Sequence, residues 1–562
     1  MSKFRTKART IELLGRKQIR DSVTALAELM KNSYDADADW VRAYFNSNKD
    51  NIILVDNGMG MSQTDIEEKW LVLGTPSKNT AKRVSPKGRP YMGAKGIGRL
   101  AAASLGKHYI MLTKTENGNY NIAYLFWDLF EDTTVSLDEI EIPTRYNIDK
   151  QTLMSSFASI VDELVSIQLK NVEVYVNAPF NPFNAEFFER SIAGARENAQ
   201  NIVKYLGLID GKGTLLFMSE LRDDWNSILV QDTTKLEDDL TADKNYKRFA
   251  NFVSTLNSAY KKQEKCSNDF VEIFKNGQIM RFHEDYTEYD FGIYDIKFEG
   301  VIEKGVFKGT LYANNTNQEA LSAANSVLAT GIDISGGIEN LAQYDCGPIR
   351  LKVCHIEGQK NRTSLTEEKF KYIRDKIDVL GGIGVYRDGV RVLPYGELEN
   401  DYLEIERRRT NKAGVYVFSH RNIFGRIDIS AEDNPKLEDK SSREGFIENN
   451  YYHYFINTLK NLLIKIAMDF LSDAHKNSYN IRTHMVKYYD QEVYRQKEQA
   501  EYEKRERERF KLVVQDLKSK LQLCKQKLLE TKNLELEILA IIADVENLSG
   551  IDLLENFLSL EE

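Results

Sequence analysis

Glu28-Leu-Met-Lys-Asn32-Ser-Tyr-Asp35-Ala36 is followed by Asp56-Asn-Gly58-Met-Gly60-Met61 and then by Gly93-Ala-Lys95-Gly96-Ile97-Gly98-Arg99. The order and closeness of these three runs decide how the chain is read. Glu28 and Asn32 stand four apart in a stretch, Arg20 to Ala36, where Val23, Leu26, Ala27 and Met30 recur at helical spacing. Both polar groups therefore face the same way on one helix. Magnesium takes oxygen ligands and keeps several waters, which suits the amide oxygen of Asn32. A carboxylate one turn earlier has the reach to take a proton from a water attacking a terminal phosphate. Taken alone, the pair reads as the polar face of an amphipathic helix.

Asp56 closes the hydrophobic run Asn51–Asp56 (NIILVD), a short buried strand entering a Gly-x-Gly turn. A carboxylate there can accept a hydrogen bond from the exocyclic amine of adenine, and the glycines let backbone approach the base. Without its neighbours this would be an ordinary D-N-G turn. Gly93, Gly96 and Gly98 precede a predicted helix ended by Gly106, so free N–H groups and the helix dipole can hold phosphates, with Lys95 and Arg99 adding charge. The run lacks the G-x-x-x-x-G-K-[ST] spacing of a P-loop and does not follow a first strand as a dinucleotide fingerprint would. Gly213-Thr214 opens a further strand, where a threonine hydroxyl could complete the adenine hydrogen bonds or simply serve as a good β residue. Between Gly74 and Arg99 the composition, rich in Lys, Ser, Pro and Gly, is that of a mobile lid.

At 562 residues the chain needs two or three domains. Hydrophobic content of 42%, charged content of 29% and net charge −9 describe an ordinary soluble globular protein with no global attraction to nucleic acid. No apolar run nears the roughly 20 residues that span a bilayer, and the basic start MSKFRTKART lacks a signal peptide's apolar stretch. Four scattered cysteines, Cys266, Cys346, Cys354 and Cys524, argue against a zinc or disulfide framework and for a reducing cytoplasm.

Three regions are expected: an α/β domain over 1–225, a second α/β domain over 226–480, and a helical region over 481–562. The second begins with β-rich segments such as FVEIFKNGQI and closes with a helix from about 445 to 472. In the third, Phe510, Leu517, Cys524, Ile538 and Val545 fall on a seven-residue register, and Val514, Leu521, Leu528 and Ile542 form its companion. That is a coiled-coil seam, or the inside of an intramolecular helical hairpin. The cluster Lys504-Arg505-Glu-Arg507-Glu-Arg509 is interleaved with acids and reads as a solvated helix before a DNA site.

The order E-x-x-x-N-x-x-D-A, D-N-G-x-G-M, G-x-x-G-x-G and a later G-T resembles the GHKL ATPase superfamily of gyrase, the ninety-kilodalton heat-shock chaperones, histidine kinases and MutL, over roughly residues 10–225. The resemblance implies an α/β (α+β) Bergerat-fold sandwich that holds ATP and Mg²⁺ under a lid. It implies Glu28 as general base, Asn32 as magnesium ligand, Asp56 as adenine reader and Thr214 as its helper. Gly58, Gly60, Gly93, Gly96 and Gly98 would line the nucleotide, with Met61, Lys95 and Ile97 beside them. The pieces at 382–396 (GIGVYRDGVRVLPYG) and 434–449 (NPKLEDKSSREGFIEN) are similar to those of MORC-like prokaryotic members, which implies a β-α transducer domain before the coiled coil. A transducer lysine reaches the terminal phosphate in this superfamily; Lys440 is the candidate here and Lys436 the alternative.

No nuclease metal motif, topoisomerase cleavage domain or CW-type zinc finger accompanies the match, and the ATPase comes first, unlike in a histidine kinase. The expected activity is a magnesium-dependent ATPase in which ATP closes a homodimeric clamp through the ATPase domains and the coiled coil, on DNA and in anti-phage defence by association with similar proteins. The alternatives are a chaperone-like clamp on protein clients, and a nucleotide-sensing scaffold with little turnover. No membrane role is expected.

Overall fold

The run NIILVD sits at the centre of a large sheet because all six of its residues are buried. A strand buried along its whole length needs cover on both faces and partners on both edges. The structure, a computed structural model, describes residues 6–47, 50–73, 84–92, 98–131, 135–176, 185–229, 240–282, 284–313, 332–358, 363, 365–411, 416–440 and 445–471, with 499, 501–505, 507–517 and 519–520 in the tail. Among these, β1 (Val41–Asn46), β2 (Asn51–Asp56), β3 (Gly106–Lys114), β4 (Tyr120–Phe126), β5 (Thr144–Ile148), β6 (Gly213–Leu221), β7 (Val271–Lys275) and β8 (Gln278–Met280) form one eight-stranded sheet in the order β5-β4-β3-β6-β2-β1-β7-β8. Every pairing is antiparallel except β1 with β7.

Helix α1 (Ser22–Asp35) begins at Asp21, whose carboxylate accepts the Thr24 N–H at 2.8 Å. That is the N-cap that satisfies a free donor of the first turn. Twelve of its fourteen residues are buried. Helices α2 (Lys150–Val176) and α3 (Ala185–Ala199) pack on each other, and α3 continues into a 3₁₀ segment, Gln200–Ile209, that lies on β2 and β6. Alternation along β1 divides the layers: Tyr44 meets Tyr205 of that segment, whereas Phe45 meets Phe249 of α4 (Leu240–Glu264), which contacts α1.

One local expectation changes here. The stretch FVEIFKNGQI, expected to open the second domain, becomes the β7–β8 hairpin and extends the first sheet. β1 otherwise has an unpaired edge, and its Tyr44 stacks on Phe274 at 4.8 Å. The first sheet and its core thus run to Met280, past residue 225. The run from Gly98, expected as a helix, is a 3₁₀ helix over Gly98–Ser104 whose buried alanines 101–103 lie against α1.

A second sheet joins β9 (Ile296–Glu303), β10 (Val306–Ala313), β11 (Ile332–Asp333), β12 (Ile349–His355), β13 (Ile383–Arg387), β14 (Val390–Arg391) and β15 (Ile423–Ile429) in the order β11-β10-β9-β12-β15-β13-β14. Lys304-Gly305 and Asp388-Gly389 make its tight hairpin turns, both residues of each pair at positive φ. α5 (Glu367–Leu380) buries Ile373 and Ile377 in a smaller core with Phe424. α6 (Asn450–Ile466) buries Phe455, Leu459 and Leu463 in the main second core. In the tail, Tyr502, Phe510 and Leu512 are exposed, and Arg507 pairs with Glu368 of α5 at 3.0 Å. The remainder of the expected seam, from Leu521 on, lies outside the described residues. Among the described residues no helix is long and apolar enough to cross a membrane.

Arg248 of α4 fastens the two bodies. Its buried guanidinium pairs with Asp21 at the head of α1 and with Glu397 of the second body at 3.0 Å. Burial pushes the Asp21 carboxyl up, but the charge of Arg248 and the Thr24 N–H outweigh it and hold the group below its usual range. Breaking a buried pair leaves uncompensated carboxylates, so Arg248→Ala is expected to cost about 3 kcal/mol. Differential scanning calorimetry at pH 7 measures it. The deficit shrinks as pH falls through the Asp21 carboxyl's lowered titration range, because a neutral acid no longer needs its cation.

Candidate functional site

Asp56 is the last residue of β2 and is 6% exposed. One carboxylate oxygen accepts the Gly58 N–H at 2.9 Å, the other the Ser33 hydroxyl at 2.8 Å. The register of β2 with β6 sets Thr214 directly opposite, and the Thr214 backbone N–H also favours the charged carboxylate. Burial still dominates and pushes the Asp56 pKa up to about 6. Three donors leave room on a carboxylate for one more N–H. That remaining lone pair is the acceptor an exocyclic amine requires.

The turn beyond Asp56 is held without side chains. Gly60 has φ +67, and a Cβ there would stand 2.0 Å from the Lys114 carbonyl oxygen. Gly213 has φ +140, and its Cβ would meet the Asp56 carbonyl oxygen at 2.1 Å. Thr113, which sequence reading did not single out, ties the pieces together. Its hydroxyl oxygen accepts the Met61 N–H at 3.0 Å, lies 3.0 Å from the Thr214 hydroxyl and 3.1 Å from the Gly213 carbonyl. The signal for Thr113 is only its position in β3 opposite Thr214, a long-range register.

Glu28 lies on α1, its side chain 2% exposed, and accepts the Lys31 ammonium at 3.0 Å. Lys31 is itself mostly buried. Desolvation lowers its pKa, opposed by the charges of Asp439 and Asp35. Glu28, Lys31 and Lys440 line one cavity of about 130 Å³ between α1 and the second body, with Tyr91, Met92, Arg387 and Asp439 also on its wall. Lys440 reaches it from a loop more than four hundred residues away, its ammonium 2.7 Å from Glu448. Lys436 is exposed and is not among the lining residues. Asn32, half-buried, follows Lys31 on α1 and precedes Ser33, which bonds Asp56, so it stands between the two groups along the helix. A larger cavity, about 560 Å³, lies between α4, the β7–β8 hairpin and residues 281–287 and holds none of these residues.

The expected lid is only partly described. Residues 74–83 and Gly93, Lys95, Gly96 and Ile97 lie outside the described residues; Gly98 opens the 3₁₀ helix. The stretch between, 84–92, is fastened rather than loose. Asp35 accepts the Met92 N–H at 2.8 Å and Asp37 the Lys87 N–H at 3.0 Å. Arg89, 1% exposed, pairs with Glu264 at 2.6 Å and lies 5.2 Å from the ring centres of both Tyr34 and Tyr260. Among the described residues no group of three or more His, Cys, Asp or Glu gathers as a metal cage. A magnesium ion held by one amide oxygen, phosphate oxygens and waters would need none.

Residues 20–158 match the family model described as Histidine kinase-, DNA gyrase B-, and HSP90-like ATPase. A GHKL-type ATPase domain is therefore the class that this part of the chain supports, and the mixed α/β sheet agrees with it. The putative type II restriction enzyme HgiDII of Herpetosiphon aurantiacus is 43% identical over 75 residues, 13% of this chain. The chain spans 12% of the length of that curated relative. A crystal structure of the N-terminal domain of a DNA repair protein aligns over 82% of this chain and 97% of its own, at 11% identity and a TM-score of 0.37.

The raised pKa of Asp56 makes the charged carboxylate a burden on the folded state. The free protein loses stability as pH rises from about 4 through 6, the interval between the carboxyl's ordinary and folded titration. Asp56→Asn keeps the shape without the charge. It is expected to raise the melting temperature of the free protein at pH 8, by on the order of 2 kcal/mol of stability, with the gain vanishing near pH 4. A pH series of thermal melts on both proteins checks it.

Proposed function

We propose that the chain is a magnesium-dependent ATPase of the GHKL type. Asp56, with Thr214, reads the adenine amine, and Gly58, Gly60 and Met61 carry the backbone past the base. Asn32 offers its amide oxygen to Mg²⁺. Gly93, Lys95, Gly96, Ile97 and Gly98 close over the phosphates. Mg²⁺, when bound, neutralises phosphate charge. Glu28 takes the proton from the attacking water, and Lys440 steadies the terminal phosphate.

One observation carries this reading: Glu28 and Lys440, far apart in sequence and on different bodies, line a single phosphate-sized cavity. The match of residues 20–158 to the ATPase family model supports the same reading. The Lys440–Glu448 pair is largely exposed, at 39% and 59%. Exposed pairs are worth little, so an incoming phosphate can take over the lysine at low cost.

The second body acts as transducer, and the tail as the coiled coil that keeps two copies tethered. ATP closes the N-terminal domains of a homodimer and hydrolysis reopens them. The name of the restriction-enzyme relative favours DNA as the thing clamped and defence as the setting. Soluble, cytoplasmic action fits this assignment.

Glu28→Ala is expected to bind ATP within about threefold of wild type and to lose turnover by roughly 10²–10⁴-fold. It should accumulate as a closed dimer in sedimentation velocity with Mg-ATP. Asp56→Asn should instead lose nucleotide binding in calorimetry. Equal loss of binding in both variants would remove the division of roles. DNA is tested by a mobility shift across a salt series, with and without a non-hydrolysable ATP analogue. Binding that strengthens with the analogue and weakens with salt is the expected result.

A further inference from the structure

Arg387 ends β13 immediately before the Asp388-Gly389 turn, and its side chain is mostly buried. The guanidinium faces the loop that delivers Lys440. One nitrogen donates to Asp439 at 2.9 Å. The other donates to the Leu437 carbonyl and, at 3.4 Å, to the Asn434 carbonyl. The plane rests 5.0 Å from the centre of the Phe446 ring, just past the loop. A planar fork with fixed donor directions can hold three points of one loop at once; an ammonium cannot.

The rest of the loop is pinned upstream. Asn434 is fully buried and donates to the Cys346 and Pro348 carbonyls at 2.9 and 3.1 Å. Asp388 accepts the Ala431 N–H. Between Asn434 and Lys440, Arg387 grips from outside the loop both its backbone and the residue next to Lys440. Asp439 also acts on buried Lys31, the partner of Glu28. Placement of the loop therefore bears on both ends of the small cavity, whose wall includes Arg387 itself.

We propose that Arg387 is a positioning residue for hydrolysis, holding Lys440 in register with the cavity through the 434–440 loop; this rests on the assignment of Lys440 to the terminal phosphate. Its contribution is made through Lys440, so it disappears when Lys440 is gone. A purely structural clamp would instead weaken the fold or the nucleotide site whether or not Lys440 is present.

The test uses the full chain with Mg-ATP and compares Arg387→Ala, Arg387→Lys, Lys440→Ala and the Arg387→Ala/Lys440→Ala double variant. Arg387→Ala is expected to lower kcat about 10- to 100-fold with KM within about threefold. Arg387→Lys recovers only a minor part of the loss. The double variant turns over within about twofold of Lys440→Ala alone, because residues acting as a unit are not additive. Losses that multiply in the double variant, or that fall on KM, overturn the inference. If Arg387→Ala melts below the assay temperature, Arg387→Lys combined with Lys440→Ala carries the same comparison. Wild-type turnover in Lys440→Ala would overturn the Lys440 assignment, and the inference with it. Impaired Lys440→Ala beside unimpaired Arg387→Ala overturns the inference alone.

Discussion

Helix α1 must be buried on almost every side while carrying Glu28, Lys31, Asn32, Ser33 and Asp35, and the rest of the molecule is arranged around that demand. A polar group moved from water into a packed interior costs several kcal/mol unless it finds a partner. Each polar residue whose contact is seen is answered, two of them from other elements and one from within the helix. Ser33 is met by Asp56 of β2, Asp35 by the backbone of Met92, and Glu28 by Lys31. The head of the helix, at Asp21, is met by Arg248. Sheet, lid base and α4 are all recruited by a helix of fourteen residues.

These contacts differ in how readily they exchange. The Asp56 corner is held by backbone donors and by glycines that tolerate no side chain, so it is pre-shaped. Arg89, almost fully buried between two tyrosines, fixes the foot of the segment leading to the glycine loop. The Lys440–Glu448 pair lies in water and is weak. Under the proposed roles, a rigid reader for the base and a loosely held cation for the phosphate would be the division expected of a site that binds first and commits later.

Much of the N-terminal body was legible in the sequence. β2 and β6 occupy the stretches NIILVD and GTLLFMSEL, and α1 falls within the stretch read as helical from Arg20 to Ala36, because apolar spacing is a local signal. The β7–β8 stretch was read as β-rich, but neither its turn at Asn276-Gly277 nor its place at the edge of the first sheet was foreseen. Hairpin chemistry is written in two residues, whereas the parallel pairing of β7 with β1 spans over two hundred.

By itself, the sequence determined the chemistry on offer: a carboxylate and an amide one turn apart, an aspartate at a strand end before a glycine turn, and a later threonine. These follow from short-range spacing, which the backbone enforces wherever the segment lies. Only the tertiary structure decided that Thr214 stands opposite Asp56, that Thr113 links Thr214 to the turn at Met61, and that Lys440 rather than Lys436 enters the cavity with Glu28. Those outcomes depend on sheet register and on how Arg387 holds a loop, and both are set by packing between segments that no local pattern connects.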